Sequence, residues 1–410
     1  MTSAPALPSR RELWLLLTLA GIQFTHILDF MIMMPLGPQF TRLFGISDAQ
    51  FGLLVSAYTL SAGVSGLVAA TYIDRFGRKR LLLALYVLFG LATLACGLAP
   101  TYGTLMVARV LAGMFGGVLS ALSQTIVADA IPFERRGRAM GIVMTSFSVS
   151  TVAGVPLGLV VAEHWGWNMP FLGIAALCGV LAVVAARVLP DMDAHLHAAS
   201  QRTVLGGIAQ VLADANHRRA FLFSALLMFT GFTVIPYITI FMQTNVGVLP
   251  GQIPVIYLCG GVVTLFTARL FGRMTDRYGK VATFRWLAVA VAVPLLSVTL
   301  LRPAPLAVVL VATTLMFALM SGRMIPGMAI VTAAADPALR GTFMTLNASV
   351  QSGAMGLASL AGGMLIRRDA QGLVQNYWMA AVVGIVASLM ALRVATGLKL
   401  HGAPVAGAGR

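Results

Sequence analysis

The sequence predicts an all-α membrane protein, with twelve transmembrane helices in two pseudo-symmetric six-helix bundles. Three observations carry that expectation. The 410 residues are 59% hydrophobic and only 10% charged, whereas water-soluble domains carry about 25% charged residues. The hydrophobic residues fall in continuous runs of spanning length, not in the alternation of barrel strands. Short motifs of the first half also recur in the second at a nearly constant offset. A mean hydropathy of +0.89 points the same way. This arithmetic excludes soluble enzymes, extracellular disulfide scaffolds and disordered chains.

A helix needs about 20 apolar residues to cross a bilayer. Twelve segments meet that length: 13–36, 50–72, 81–99, 103–130, 139–161, 170–189, 220–243, 252–272, 283–301, 306–331, 343–366 and 376–396. The first follows Arg10 and Arg11 and runs to about Leu36. That is too long for the core of a signal peptide, so it reads as a retained helix. No strands are expected. Cys96, Cys178 and Cys259 lie far apart in apolar segments with no CxxC pair, and read as small buried hydrophobes.

Twenty-eight Lys and Arg against thirteen Asp and Glu give a net charge of +15. In a soluble protein this would suggest nucleic acid. Position decides otherwise. With an even number of spans both termini share a side, and twenty-one basic residues fall on it. Four, Arg42, Arg302, Arg367 and Arg368, fall on the other side, and Arg109, Arg269 and Arg323 fall within spans. The excess is therefore an orientation signal that places both termini in the cytoplasm. No nucleic-acid partner is expected. The longest stretch between spans, 190–219, is a cytoplasmic linker between an N-terminal bundle, 1–189, and a C-terminal bundle, 220–410. His195 and His197 within it read as solvated, because no third ligand stands at a helical spacing. Neither a metal nor a cofactor is expected.

The halves share a pattern. Asp74-Arg75-Phe76-Gly77-Arg78-Lys79-Arg80 follows the second span, and Gly272-Arg273-Met274-Thr275-Asp276-Arg277-Tyr278-Gly279-Lys280 follows the eighth. Asp74 and Asp276 are 202 apart, Pro35 and Pro236 are 201 apart, and Gly137 and Gly341 are 204 apart. A six-helix unit repeated in parallel is a transporter architecture with its substrate site near the bilayer midplane. These loops resemble the 2–3 and 8–9 loop motif of the major facilitator superfamily. Its leading glycine is present as Gly272, but the first copy has Ala70 there. Arg109 to Gly113 resembles the R-x-x-x-G pattern of proton-coupled members. Gly154-Val155-Pro156-Leu157-Gly158 is similar to the motif of the antiporter branch, with Val155 between Gly and Pro. The resemblance covers roughly 13–396 and is greatest to bacterial twelve-helix drug:proton antiporters and sugar-efflux-like permeases. It implies that the two loops lock the cytoplasmic side, a role falling to Asp74, Arg75, Gly77, Arg78, Asp276, Arg277 and Gly279.

Only one of the thirteen acids lies deep in a span. Asp29 sits mid-way along the first, in His26-Ile-Leu-Asp29-Phe-Met-Ile-Met-Met-Pro35. A carboxylate there costs about 2.5–3.5 kcal/mol on insertion scales, so it should face the bundle interior. A buried carboxyl that changes charge is what proton coupling requires; the alternative is a permanent structural pair with an arginine. His26 lies one turn away on the same face, and Gln23 and Met33 continue it. Arg109 is the cationic counterpart, and the resemblance implies a role for it in proton transfer. Arg323 does not align with Arg109 across the repeat, so it reads as a separate feature, either a substrate-anion site or a structural arginine. Further substrate-binding candidates are Thr230, Thr233 and Tyr237 on span seven, Gln124 on span four, and Asn347 and Gln351 on span eleven. Twenty-two methionines suit an adaptable cavity lining, though packing is their commoner use.

There is no P-loop, HExxH or GxSxG, so no enzyme is expected. The resulting expectation is a monomeric secondary transporter of the bacterial inner membrane, exporting small organic molecules in exchange for protons. Proton-coupled symport of an organic anion is the alternative among transporters. A receptor or scramblase on the same fold is the alternative from another class.

Overall fold

The computed structural model describes residues 10–192 and 204–401. His195 and His197 lie outside them. In the first half the helices are α1 (Arg10–Ile32), α2 (Gly37–Leu43), α3 (Asp48–Tyr72), α4 (Arg78–Gly97), α5 (Tyr102–Ala130), α6 (Phe133–Val149), α7 (Val155–Trp165) and α8 (Met169–Val188). A short α9 (Val204–Ala213) precedes the second half. There follow α10 (Ala215–Phe232), α11 (Ile238–Phe241), α12 (Ile253–Tyr278), α13 (Lys280–Ala290), α14 (Ala292–Thr299), α15 (Leu306–Ala334), α16 (Arg340–Leu365) and α17 (Tyr377–Thr396). Among the described residues, eleven segments are both long and apolar enough to cross a membrane. The twelfth is α16, 26 residues long, whose Thr342, Thr345, Asn347, Ser349, Gln351 and Ser352 dilute its hydropathy.

Several boundaries have local causes. Span one breaks after Ile32, and Met34, Pro35 and Leu36 turn the chain into α2, which has Pro38 in its first turn. Ser47 and Gln50 close a capping box at the start of α3, and Thr101 and Thr104 do the same for α5, satisfying backbone N–H groups that a helix start leaves open. Asp214 caps α10 by accepting from the N–H groups of Asn216 and His217. Gly279, at φ +88°, makes the left-handed turn between α12 and α13 that other residues rarely adopt. In span five a π-helical segment, Ser150–Gly154, joins α6 to α7 just before Pro156. Proline lacks the N–H for the regular ladder, and a wider turn absorbs the loss.

The expectation of no strands needs one correction. Arg367–Arg368 pairs antiparallel with Val374–Gln375 in the loop between α16 and α17. Asp369 holds this hairpin by accepting from the N–H groups of Gln371 and Leu373 and from the side chain of Gln375. Gly372, at φ +80°, supplies its turn.

Two seams join the halves. In the first, α3 lies along α16 through small residues. The Ser56 hydroxyl donates to the Gly356 carbonyl at 2.7 Å, and Ser359 donates to the Gly52 carbonyl at 3.4 Å. A Cβ on Gly63 would stand 3.0 Å from the Ser349 carbonyl. Small residues let membrane helices approach this closely, which accounts for the polar composition of α16. In the second seam the π segment of span five meets α12, where a Cβ on Gly261 would stand 3.0 Å from the Val152 backbone. The end of the bundle that carries Arg78, Arg135 and Lys280 is here called the basic end. At the opposite end a bidentate ion pair crosses between the halves. Arg368, presented by the hairpin, reaches both Asp48 oxygens at 2.8 Å, and Asp48 is buried at the start of α3.

Candidate functional site

Asp29 and Arg109 meet in the interior of the first half. Arg109 Nη1 donates to Asp29 Oδ2 at 2.8 Å and to the Asp29 carbonyl at 3.3 Å. Both side chains are 0% exposed. α1 brings Asp29 there because its other face is covered by span five. A Cβ on Gly154 would stand 3.0 Å from Leu28, and one on Gly158 would stand 2.8 Å from Ile32. The glycines and the π segment of the Gly154–Gly158 motif thus let α7 lie directly on α1. α5 brings Arg109 there because it runs almost backbone to backbone with α3. A Cβ on Gly113 would collide with the Tyr58 carbonyl, and one on Gly117 would stand 2.5 Å from the Ala62 carbonyl.

The pair is incompletely satisfied. Asp29 Oδ1 and Arg109 Nε and Nη2 have no hydrogen-bond partner among the described residues, and neither has His26 Nδ1. A buried ion pair is held together only while both partners are charged, because losing one charge leaves the other uncompensated in a low-dielectric interior. A proton arriving at Asp29 would therefore release Arg109, so the geometry can register protonation. His26 packs against α5, where a Cβ on Gly116 would stand 2.6 Å from its Cδ2, and its ring lies 6.0 Å from Phe89.

Aromatic residues extend the site. Arg109 Cζ lies 4.4 Å from the centre of the Tyr58 ring, a cation–π contact. Tyr58 stacks on Phe30 at 5.4 Å, and Phe30 on Phe232 of α10 at 6.0 Å. Tyr58, Phe30 and Phe232 were not among the expected site residues. An aromatic residue in an apolar run carries no periodic signal, and Phe30 and Phe232 stand one position off the 201 offset of Pro35 and Pro236 in the same spans.

The other expected residues are placed as follows. Gln23 is buried and donates to Ser120 Oγ on α5 at 3.2 Å, and Met33 is fully buried. Arg323 is 1% exposed on α15. Its Nη2 donates to the Leu227 carbonyl of α10 at 2.7 Å, and its Nε and Nη1 have no partner among the described residues. The sequence offset separates Arg323 from Arg109, yet each reaches the first helix of its own half from the fourth. The difference is the acceptor, a carboxylate for Arg109 and a backbone carbonyl for Arg323. Thr230 and Thr233 bond locally to the Leu226 and Thr230 carbonyls and face Gly384 of α17. Tyr237 stands near the end opposite the basic one, donating to the Ser359 carbonyl, with its ring 6.2 Å from Phe51. Asn347 is buried, and its Oδ1 has no partner among the described residues. Gln351 is half-buried and donates to Met328 Sδ at 3.5 Å. Gln124 is exposed on α5, and Arg269 on α12.

In the first loop motif Gly77 precedes α4. Arg78 is buried, reaching Asp129 at the end of α5 at 3.2 Å and donating to the Ile73 carbonyl at 3.1 Å. Arg75 is exposed, and the Asp74 side chain lies outside those described. In the second motif Asp276 and Arg277 are exposed, Arg277 lying over the Tyr278 ring at 5.3 Å. Among the described residues, no group of His, Cys, Asp and Glu is arranged to hold a metal.

Comparison with known proteins gives consistent results. The family described as Major Facilitator Superfamily matches residues 19–223. The uncharacterized MFS-type transporter YtbD of Bacillus subtilis is 26% identical over 341 residues, spanning 82% of this chain and 84% of that protein. Multidrug resistance protein 2 of the same organism is 25% identical over 263 residues, covering 63% of this chain and 66% of its own length. Among solved structures, a bacterial homologue of the human lysosomal transporter Spinster, inward-facing and unoccupied, aligns with a TM-score of 0.74 at 16% identity over 96% of this chain and 98% of that one. The xylose transporter XylE of E. coli, partially occluded and inward open, aligns with a TM-score of 0.73 at 15% identity over 94% and 98%.

Proposed function

Because the chain belongs to the major facilitator superfamily, we propose that it is a proton-coupled antiporter that exports small organic molecules by alternating access. The observation that carries this reading is the Asp29–Arg109 pair, fully buried at 2.8 Å, with one carboxylate oxygen unpartnered among the described residues. An acid in that position is a group whose charge can change with access from either side. The likeness to a multidrug resistance protein supports export.

In this reading the basic end is cytoplasmic, with both termini there, and the bundles 1–189 and 220–410 rock about the 190–219 linker. The seam at Asp48 and Arg368 then closes the outer side, so the chain faces inward. Arg78, Asp129 and the two loop motifs act when the inner side closes. Protonation of Asp29 from outside frees Arg109, and proton release to the cytoplasm re-forms the pair. His26 tunes that exchange. Substrate binds between the halves, with Gln23, Met33, Asn347 and Gln351 as contributors.

The test is transport in proteoliposomes under an imposed pH gradient, with a panel of cationic, neutral and anionic compounds. Wild type moves substrate against the gradient, and Asp29→Asn does not. An Asp29→Asn protein with unchanged pH dependence would refute the assignment.

Arg323 favours a second reading, proton-coupled symport of an organic anion. It is a buried cation held by a carbonyl, and an anionic substrate would neutralise it. Anion transport lost specifically in Arg323→Ala would select this reading.

A further inference from the structure

We propose that Phe30 and Phe232 form the binding site for a flat aromatic part of the transported molecule, and that Tyr58 links its occupancy to the Asp29–Arg109 pair. The second clause rests on the proton-coupling reading of Asp29; the first does not.

Phe30 follows Asp29 on α1, and Phe232 ends α10. At the 201 offset of Pro35 and Pro236 in the same two spans, Phe232 stands one position beyond the counterpart of Phe30. Near-equivalent residues of two repeats touch where the axis relating the repeats passes close to them. In a parallel repeat that axis runs along the membrane normal, between the bundles. The ring pair, with centroids 6.0 Å apart and planes at 25°, therefore lies close to that axis, between the halves. Both side chains are half-buried.

The column continues into the first half without a break. Phe30 lies on Tyr58 at 5.4 Å and 24°, and Tyr58 carries Arg109 at 4.4 Å on its face. The Tyr58 hydroxyl is buried with no hydrogen-bond partner among the described residues, so the ring is held by its contacts with Phe30 and Arg109. A displacement of Phe30 is thus passed to the surface on which Arg109 rests.

Offset-parallel aromatic faces accept one another interchangeably. When the halves rock apart at this level, Phe30 and Phe232 lose each other's face. A flat ring entering the gap restores both contacts, whereas a saturated ring of equal size cannot lie against both. The site therefore selects planar aromatic groups. Its filling also moves Phe30 against Tyr58, which couples substrate to the ion pair.

The experiment uses the full chain in lipid nanodiscs and two radiolabelled probes, 1-naphthalenemethanol and its decahydro counterpart, with empty discs as the blank. Wild type is expected to bind the naphthyl probe more tightly than the saturated one. Phe30→Leu and Phe232→Leu should each weaken naphthyl binding about two- to tenfold, leaving the saturated probe unchanged; Phe30→Tyr should retain it. Tyr58→Leu should remove the pH dependence of naphthyl binding, and Tyr58→Phe should keep it. Wild type that binds neither probe, or both equally, overturns the proposal, as do Leu variants that lose both probes alike. Asp29→Asn separates the two readings. If pH dependence survives in that variant while the aromatic preference holds, the proton assignment fails and the ring site stands.

Discussion

Arg109 reaches Asp29 from α5 at 2.8 Å, and neither side chain touches solvent. Arg323, off the repeat position of Arg109, reaches α10 from α15 and, among the described residues, finds the Leu227 carbonyl and no carboxylate. One half of the molecule holds a neutralised cation, and the other holds a cation with no carboxylate partner among the described residues.

That contrast predicts opposite effects of the same substitution. Arg109→Met leaves a buried carboxylate unpaired and should destabilise the protein by about 3–5 kcal/mol. Asp29→Asn/Arg109→Met should recover a large part of that loss. Arg323→Met removes a buried charge with no carboxylate partner among the described residues, and should leave stability unchanged or raised. Thermal unfolding in one detergent, compared across the variants, reads all three.

Gly113 should tolerate no side chain. A Cβ there meets the Tyr58 backbone, so Gly113→Val should force α5 from α3 at a cost of about 1–3 kcal/mol. Because the shift moves Arg109 relative to Asp29, transport should fall by more than stability does. Gly103, where a Cβ meets nothing within 4 Å, is the control, and Gly103→Ala should behave as wild type in both assays.

The Asp48–Arg368 pair should hold the outer side shut. Breaking a hydrogen bond to a charged group is worth about 1.5–3 kcal/mol, so Arg368→Gln should shift the balance toward the outward-open state about tenfold or more. A cysteine at Ser56, on the seam with α16, should then react faster with an impermeant thiol reagent added outside. An unchanged rate would remove the pair from the gate.

How much was legible before the fold was known varies with the physics of each residue. Asp29, Arg109 and Arg323 stand out in the sequence because charge in hydrocarbon is costly and scarce. Their partners do not, because an ion pair between residues 80 apart is a property of packing. The glycines of span five were visible as a motif, but what they permit, α7 lying on α1, depends on which side chains stand opposite. Asp48 beside the capping residue Ser47 reads locally as a helix-start acid; its ion pair is delivered by a hairpin 320 positions on. The i, i+3, i+7 spacing of Thr230, Thr233 and Tyr237 assumes one continuous helix, but α10 ends at Phe232 and Tyr237 follows in a tighter 3-10 turn, a break set by Pro236 that spacing alone does not reveal. Tyr58 had no local mark at all.

The central claim is that Asp29 gains and loses a proton, and infrared difference spectroscopy tests it without a known substrate. Lowering the pH over reconstituted wild-type protein should produce a protonated-carboxyl C=O band that shifts in D2O and is absent from Asp29→Asn. The same band at full strength in Asp29→Asn, or no such band in wild type at any pH where the protein stays folded, would contradict the account.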